Sequence, residues 1–320
     1  LLDQVFALTR RHLRAGALLL VAALTGCAAP GPPRPVGPHT VELSKVPFFP
    51  QDSYQCGPAS LAEVLSFTGV PVHPEALEPY LYLPARKGTL QAEMIAQARR
   101  HGRLVYPIEG SIAAVTAEVA AGHPVLVLQN LAFSWWPIWH YSVVVGFDPD
   151  ARTVILRSGE QARHQEPYEL FRRTWTRAKR WGIVVLPPGQ LPATATAHNY
   201  LQAAAALEQV AGARTALPAY RAGVTHWPDS APLWIALANG LQAQGDLDGA
   251  EHALRAALDH DPSNAIAYNN LAMVLADRGR WSEALAAVHH AIALGGPFLE
   301  QFRNTLTTIR CRQRGDCPSR

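Results

Sequence analysis

Cys56 stands where a polar loop turns into a helix, in the run Gln51-Asp52-Ser53-Tyr54-Gln55-Cys56-Gly57-Pro58-Ala59-Ser60. Proline at a first helical position is pre-organised for the α conformation. Leu61, Val64 and Leu65 then recur at helical spacing. A thiol at a helix N-terminus meets the positive end of the macrodipole, which lowers its pKa and favours the nucleophilic thiolate. The same position also suits a small buried residue, so the surrounding chain has to decide between nucleophile and inert core thiol.

The N-terminus reads as a processing segment. Arg10, Arg11 and Arg14 precede the apolar run Ala15 to Leu24, which is too short to span a bilayer but fits the core of a signal peptide. The run ends in Leu24-Thr25-Gly26-Cys27, which resembles the lipobox of bacterial lipoproteins. The resemblance implies removal of residues 1–26, lipidation of Cys27, and a membrane-anchored protein outside the cytoplasm. Ala28 in place of Asp implies the outer membrane, facing the periplasm. Residues 27–40 are dense in Pro and Gly and read as an extended tether.

The 320 residues leave room for about two domains, and 48% hydrophobic with 17% charged residues is the composition of a folded chain. The formal charge of +3 includes a net +2 in residues 1–26, from three arginines against Asp3. The near-neutral remainder gives no electrostatic reason to expect nucleic-acid binding. With Cys27 taken by lipid, Cys311 and Cys317 are close enough in sequence to form a disulfide outside the cytoplasm, and Cys56 is left without a partner. His73, His101, His123 and His164 have no metal-ligand spacing with acidic or Cys partners, so no metal or other cofactor is expected.

Helices are expected from Cys56 onward, over 88–102 and over 111–122, the last capped by Ser111 and stopped by Gly122. Strand-like runs follow at 123–131, 140–147, 152–159 and 181–188, the middle pair joined by the turn-forming Asp148 to Ala151. Helices placed before a mostly antiparallel sheet define an α+β domain over 41–190. A Pro/Ala/Thr-rich linker, 191–196, ends it. Beyond it a 34-residue period carries Tyr200, Trp234 and Tyr268, then Leu207, Leu241 and Leu275, then Ala216, Ala250 and Ala284. This is similar to three tetratricopeptide repeats over 197–296, an all-α helical repeat domain. Residues 297–320 supply a capping helix and tail. A repeat groove of this kind implies a protein partner.

Gln51 followed by Cys56-Gly57-Pro58-Ala59 resembles the start of bacteriocin-processing cysteine peptidases, papain-like domains that cut leader peptides after a Gly-Gly pair. The run His140-Tyr141-Ser142-Val143-Val144-Val145-Gly146 is similar to that family's histidine strand. The resemblance implies a papain-like cysteine peptidase fold, hydrolysis of a peptide or protein substrate, and a Cys/His mechanism. Cys56 is then the nucleophile, His140 the proton carrier, and the Gln51 amide a donor to the oxyanion. The family's third member is an Asp on the next strand, where this chain reads Arg157-Ser158-Gly159-Glu160. Asp148 lies eight residues beyond His140, about 26 Å along a strand, and cannot substitute. A hairpin returning through 148–151 brings residues near 159 opposite His140, so Ser158 or Glu160 orients the ring. The aromatic run Phe133 to Trp139 either lines a peptide cleft or fills the core at a sheet edge. The alternative to a peptidase is a catalytically idle domain of the same fold that serves as a protein-binding scaffold.

Overall fold

The computed structural model describes residues 39–51, 55–86 and 88–315, which form one compact unit. Cys27 and the signal segment lie outside the described residues, as does Cys317. Cys311 is disulfide-bonded. No helix among the described residues is long and apolar enough to cross a membrane.

A seven-stranded antiparallel sheet forms the centre of the first domain. Its strands are β1 (Val41–Glu42), β4 (Leu104–Pro107), β5 (Val125–Asn130), β6 (Trp139–Asp148), β7 (Thr153–Ser158), β8 (Gln161–Pro167) and β9 (Gly182–Leu186), in the order β4-β9-β5-β6-β7-β8 with β1 on β6. The short pair β2 (Tyr82–Leu83) and β3 (Gly88–Thr89) stands apart. Strand β6 is apolar on both faces because both faces are covered, which explains why its run of valines does not alternate with polar residues. Tyr141, Val143 and Val145 pack with Leu61 and Leu65 of α1 (Cys56–Phe67). Val144 turns the other way, toward Phe171 and Trp175 of α5 (Tyr168–Arg177). Helices α2 (Pro74–Leu81), α3 (Gln91–Arg100) and α4 (Ile112–Ala120) complete the domain. Ser111 caps α4 by accepting the Ala114 N–H.

Gly146 is where a side chain is not tolerated. A Cβ there would sit 2.4 Å from the Val41 carbonyl oxygen, so only glycine lets β1 close against the bulged stretch of β6.

Sequence periodicity misses the two-residue strands β1, β2 and β3 and four longer elements: α2, β4, β8 and α5. Strand β8 reads Gln-Ala-Arg-His-Gln-Glu-Pro and sits at the sheet edge, mostly exposed, where charged and polar side chains guard an open row of backbone groups. Such a strand has no apolar alternation to read. Helix α5 does have a readable pattern, with Tyr168, Phe171 and Trp175 buried at helical spacing between less buried arginines.

From Ala197 onward the chain is a stack of helix pairs: α6 (Ala197–Ala211) with α7 (Ala213–His226), α8 (Ala231–Ala243) with α9 (Leu247–His260), and α10 (Ala265–Asp277) with α11 (Trp281–Leu294). Helix α12 (Leu299–Arg314) covers the last pair with Phe302 and Ile309. The repeated alanines Ala216, Ala250 and Ala284 are fully buried, which lets paired helices approach closely. Glu251 of α9 accepts hydrogen bonds from Arg255, Arg278 and Arg280, tying the second pair to the turn of the third.

The segment 191–196 is fastened rather than free. The buried Glu118 carboxylate of α4 accepts the Ala193 and Thr194 N–H groups, the Thr194 hydroxyl and His123 Nδ1. Burial alone pushes that carboxyl up, but these hydrogen bonds outweigh it and hold the group below its ordinary value. Leu104 and Tyr106 of β4 share one core with Tyr200 and Leu207 of α6. The repeats are therefore docked on the sheet domain through a continuous apolar contact.

Candidate active site

Cys56 is the first residue of α1, and Gly57 behind it is required by space. A Cβ on Gly57 would meet the Thr89 side chain at 2.4 Å, so β3 closes directly over the helix start. The Cys56 N–H belongs to the first turn, where backbone donors have no intrahelical acceptor. The thiol is partly buried. Burial pushes its pKa above the ordinary thiol value, more than the backbone N–H groups of Tyr141, Gly57 and Cys56 itself pull it back. Desolvation of the anion thus outweighs the helix-end donors that favour it, and the resting group is a neutral thiol.

His140 pairs in register with Gln129 across β5 and β6. Its Nε2 lies 2.8 Å from Ser158 Oγ. Glu160 is exposed beyond the Gly159 turn, so the returning strand meets the imidazole with Ser158. Burial, with the nearby His164 adding to it, lowers the His140 pKa to about 4. The ring is neutral at physiological pH. No hydrogen bond joins Cys56 to His140 among the described residues. The two are linked instead through the strand itself, because the Tyr141 backbone N–H serves the Cys56 sulfur.

Gln51 reaches the same corner from the loop before α1. Its N–H donates to the Gly159 carbonyl at 3.0 Å, and its Oε1 accepts the Gly159 N–H at 3.1 Å. The amide nitrogen, Nε2, makes only a 3.4 Å contact to Ser60 Oγ of α1. This leaves an amide donor held in place by its oxygen and weakly engaged at its nitrogen. Gln51, Gly159, Ser158 and His140 thus form one hydrogen-bonded sequence of contacts, and Tyr141 carries it to Cys56.

Sequence reasoning did not single out two buried polar groups beneath this corner. On the face opposite α1, Gln129 donates to Glu166 Oε2 and Thr174 Oγ1 and accepts from the Ser142 hydroxyl, locking β5, β6, β8 and α5 together next to His140. On the α1 side lies Glu63, fully buried, accepting the Phe49 N–H at 3.1 Å with one oxygen. Its other oxygen has no hydrogen-bond partner among the described residues. Burial raises the Glu63 pKa to about 8, with the Phe49 N–H and Arg157 opposing. A polar residue on an otherwise apolar helix face, as at Glu63, is the sequence signal that was available.

Glu63 carries a prediction. A carboxyl whose folded pKa is raised contributes fully at pH below its unfolded value near 4.5 and costs stability as pH climbs from there to about 8. Relative to Glu63→Gln, which keeps the acceptor for Phe49 and cannot ionise, the wild type should therefore lose urea stability between pH 5 and pH 8, by on the order of a few kcal/mol. The depressed His140 pKa works the other way, raising stability as pH climbs from about 4 toward 6.5, but it is common to both proteins and cancels in the difference. A difference that stays constant with pH would show that Glu63 titrates normally.

No group of three or more metal-ligating side chains exists among the described residues. Comparison with protein families matches residues 43–183 to the family described as Peptidase_C39 like, and residues 235–295 to the tetratricopeptide repeat. No curated protein matches the chain. Among solved structures, a C39-like peptidase from Bacillus anthracis is similar at 19% identity, covering 46% of this chain and 97% of that one, with a TM-score of 0.40. The TPR2B domain of yeast Sti1, solved as a complex with pHsp70, is 16% identical and covers 36% of this chain and 97% of that one, at 0.35. The Yersinia enterocolitica type III secretion chaperone SycD, solved with a peptide of the translocator YopD, is 19% identical over 36% and 93%, at 0.34. The chain carries a Peptidase_C39-like domain followed by tetratricopeptide repeats.

Proposed function

We propose that this protein is a cysteine peptidase held outside the cytoplasm by a lipid on Cys27, with its repeats recruiting a protein substrate or partner. The observation that carries the reading is the contact sequence Gln51–Gly159–Ser158–His140, whose last member directly precedes Tyr141, the residue whose backbone N–H faces the Cys56 sulfur. In the proposed reaction Cys56 Sγ attacks the peptide carbonyl carbon as His140 takes the thiol proton. The oxyanion is held by the Gln51 amide and the Cys56 N–H. Collapse breaks the C–N bond, and His140 returns the proton to the departing amine. Water then attacks the thioester, giving a proton to His140 and releasing a carboxylic acid and the free thiol.

Both partners rest neutral, so proton transfer accompanies attack instead of preceding it. Catalytic hydrogen bonds often tighten only when substrate is bound, and the missing Cys56–His140 bond is of that kind. The scaffold reading draws support from the same two facts, the raised thiol and a serine in the carboxylate's place. Labelling with a peptidyl acyloxymethyl ketone ending in Gly-Gly separates them. A peptidase labels at Cys56 when native, fails to label when denatured, and loses labelling in His140→Ala. A scaffold labels at no greater rate when native than when unfolded.

A further inference from the structure

The loop between β5 and β6, residues 131–138, does not fill the core. It projects, and with Trp139 it carries Leu131, Phe133, Trp135, Trp136 and Ile138 into solvent, Trp135 at 79% and Trp136 at 68% exposure. The segment 131–139 contains no charged residue. It is also pre-shaped. Asn130 Oδ1 accepts the Ala132 and Ile138 N–H groups, its Nδ2 donates to the Phe133 carbonyl, and the Leu131 N–H donates to the Ile138 carbonyl. Phe133 and Trp135 stack with ring centroids 5.5 Å apart. Holding large apolar rings in water is costly relative to burying them.

The surroundings identify the occupant. Arg177 at the end of α5 donates to the Asn130 carbonyl at the foot of the loop. Lys179 and Arg180 follow, both exposed, and the chain then enters β9 beside β5, where Leu128 N–H bonds the Trp181 carbonyl. The exposed rings stand together with cations at their base. That combination matches the interface of a lipid bilayer, where tryptophan rings sit at the headgroup level and cations meet anionic headgroups.

We propose that the 131–139 loop inserts into the surface of a membrane containing anionic phospholipid. The loop ends one residue before His140, so insertion holds the Cys56–His140 corner at the bilayer surface and directs it toward chains presented there.

The test uses the full chain with Cys27→Ala, so that no acyl group contributes, and compares it with the same protein carrying Trp135→Ser and Trp136→Ser. Both share one N-terminal segment, so their difference reports the loop. With vesicles of phosphatidylethanolamine and phosphatidylglycerol, the double variant should partition about tenfold more weakly or worse. Brominated acyl chains should quench the tryptophan emission of the parent and lose most of that effect in the variant. Lys179→Gln with Arg180→Gln should remove the preference for anionic over purely phosphatidylcholine vesicles. Equal partitioning and equal quenching in parent and loop variant would overturn the proposal. So would a loop variant that binds vesicles normally but loses labelling by the Gly-Gly ketone, since the rings would then serve a peptide. None of the vesicle measurements depends on catalysis, so they stand or fall apart from the peptidase reading.

Discussion

Cys56→Ala is expected to abolish hydrolysis of fluorogenic Gly-Gly peptides, His140→Ala to lower it by three or more orders of magnitude, and Ser158→Ala by about ten- to a hundredfold. The gradient follows from what each change leaves behind. Without the sulfur no thioester forms, and the oxyanion donors alone supply only residual rate. Without the imidazole the thiol must lose its proton to water, from a site where burial already disfavours the anion. Without the Ser158 hydroxyl the ring remains in place but loses the one side chain that holds its Nε2. Gln51→Ala should act on kcat more than on KM, because its amide serves the oxyanion more than the ground-state carbonyl. Peptide turnover measured on purified variants checks the order. Retained turnover in Cys56→Ala would remove the nucleophile from the scheme, and equal losses in all variants would point to unfolding.

Ser158→Asp is expected to change the chemistry of the pair and not merely its rate. A serine hydroxyl can donate to or accept from the imidazole, so it leaves both tautomers open. Only the tautomer with the proton on Nε2 frees Nδ1 to take the thiol proton. A carboxylate in that place accepts only, enforces the productive tautomer and stabilises the imidazolium. A wild-type His140 with a pKa of about 4 accepts protons at any pH above that value and is protonated below it. The acid limb of kcat/KM should therefore sit near pH 4, and alkylation of Cys56 should rise only toward alkaline pH. In the Ser158→Asp variant the imidazole pKa should climb by about one to three units, moving the acid limb up by the same amount. The imidazolium then lowers the thiol pKa, and alkylation near neutral pH should speed up by about tenfold or more. Iodoacetamide alkylation rates and kcat/KM across pH read both effects. Superimposable profiles for wild type and Ser158→Asp would place residue 158 outside the reach of the ring in solution.

The amino-acid sequence by itself determined the repeat domain, because a 34-residue register of aromatic, leucine and alanine positions admits few other packings. It also marked the helix that begins at Cys56 and the strand that begins at His140, since a Gly-Pro start and a run of valines are local signals. Local signals stop there. That Ser158, and not Glu160, meets the imidazole depends on the register of β7 after a bulge near Gly146, a cross-strand property invisible in either strand alone. The edge strand β8 has no periodicity to read, because its role is to remain polar. The protonation of the site was decided by burial. The helix dipole at Cys56 is encoded locally, whereas its desolvation comes from β3, β6 and α1 closing together, and the second effect is the larger. The aromatic run before His140 shows the same division. Its composition alone fits a core, a cleft or a membrane surface. Only the folded loop, braced by Asn130 and Arg177, turns those rings outward. Composition and period travel along the chain, but desolvation and exposure are set by what distant segments place beside a residue.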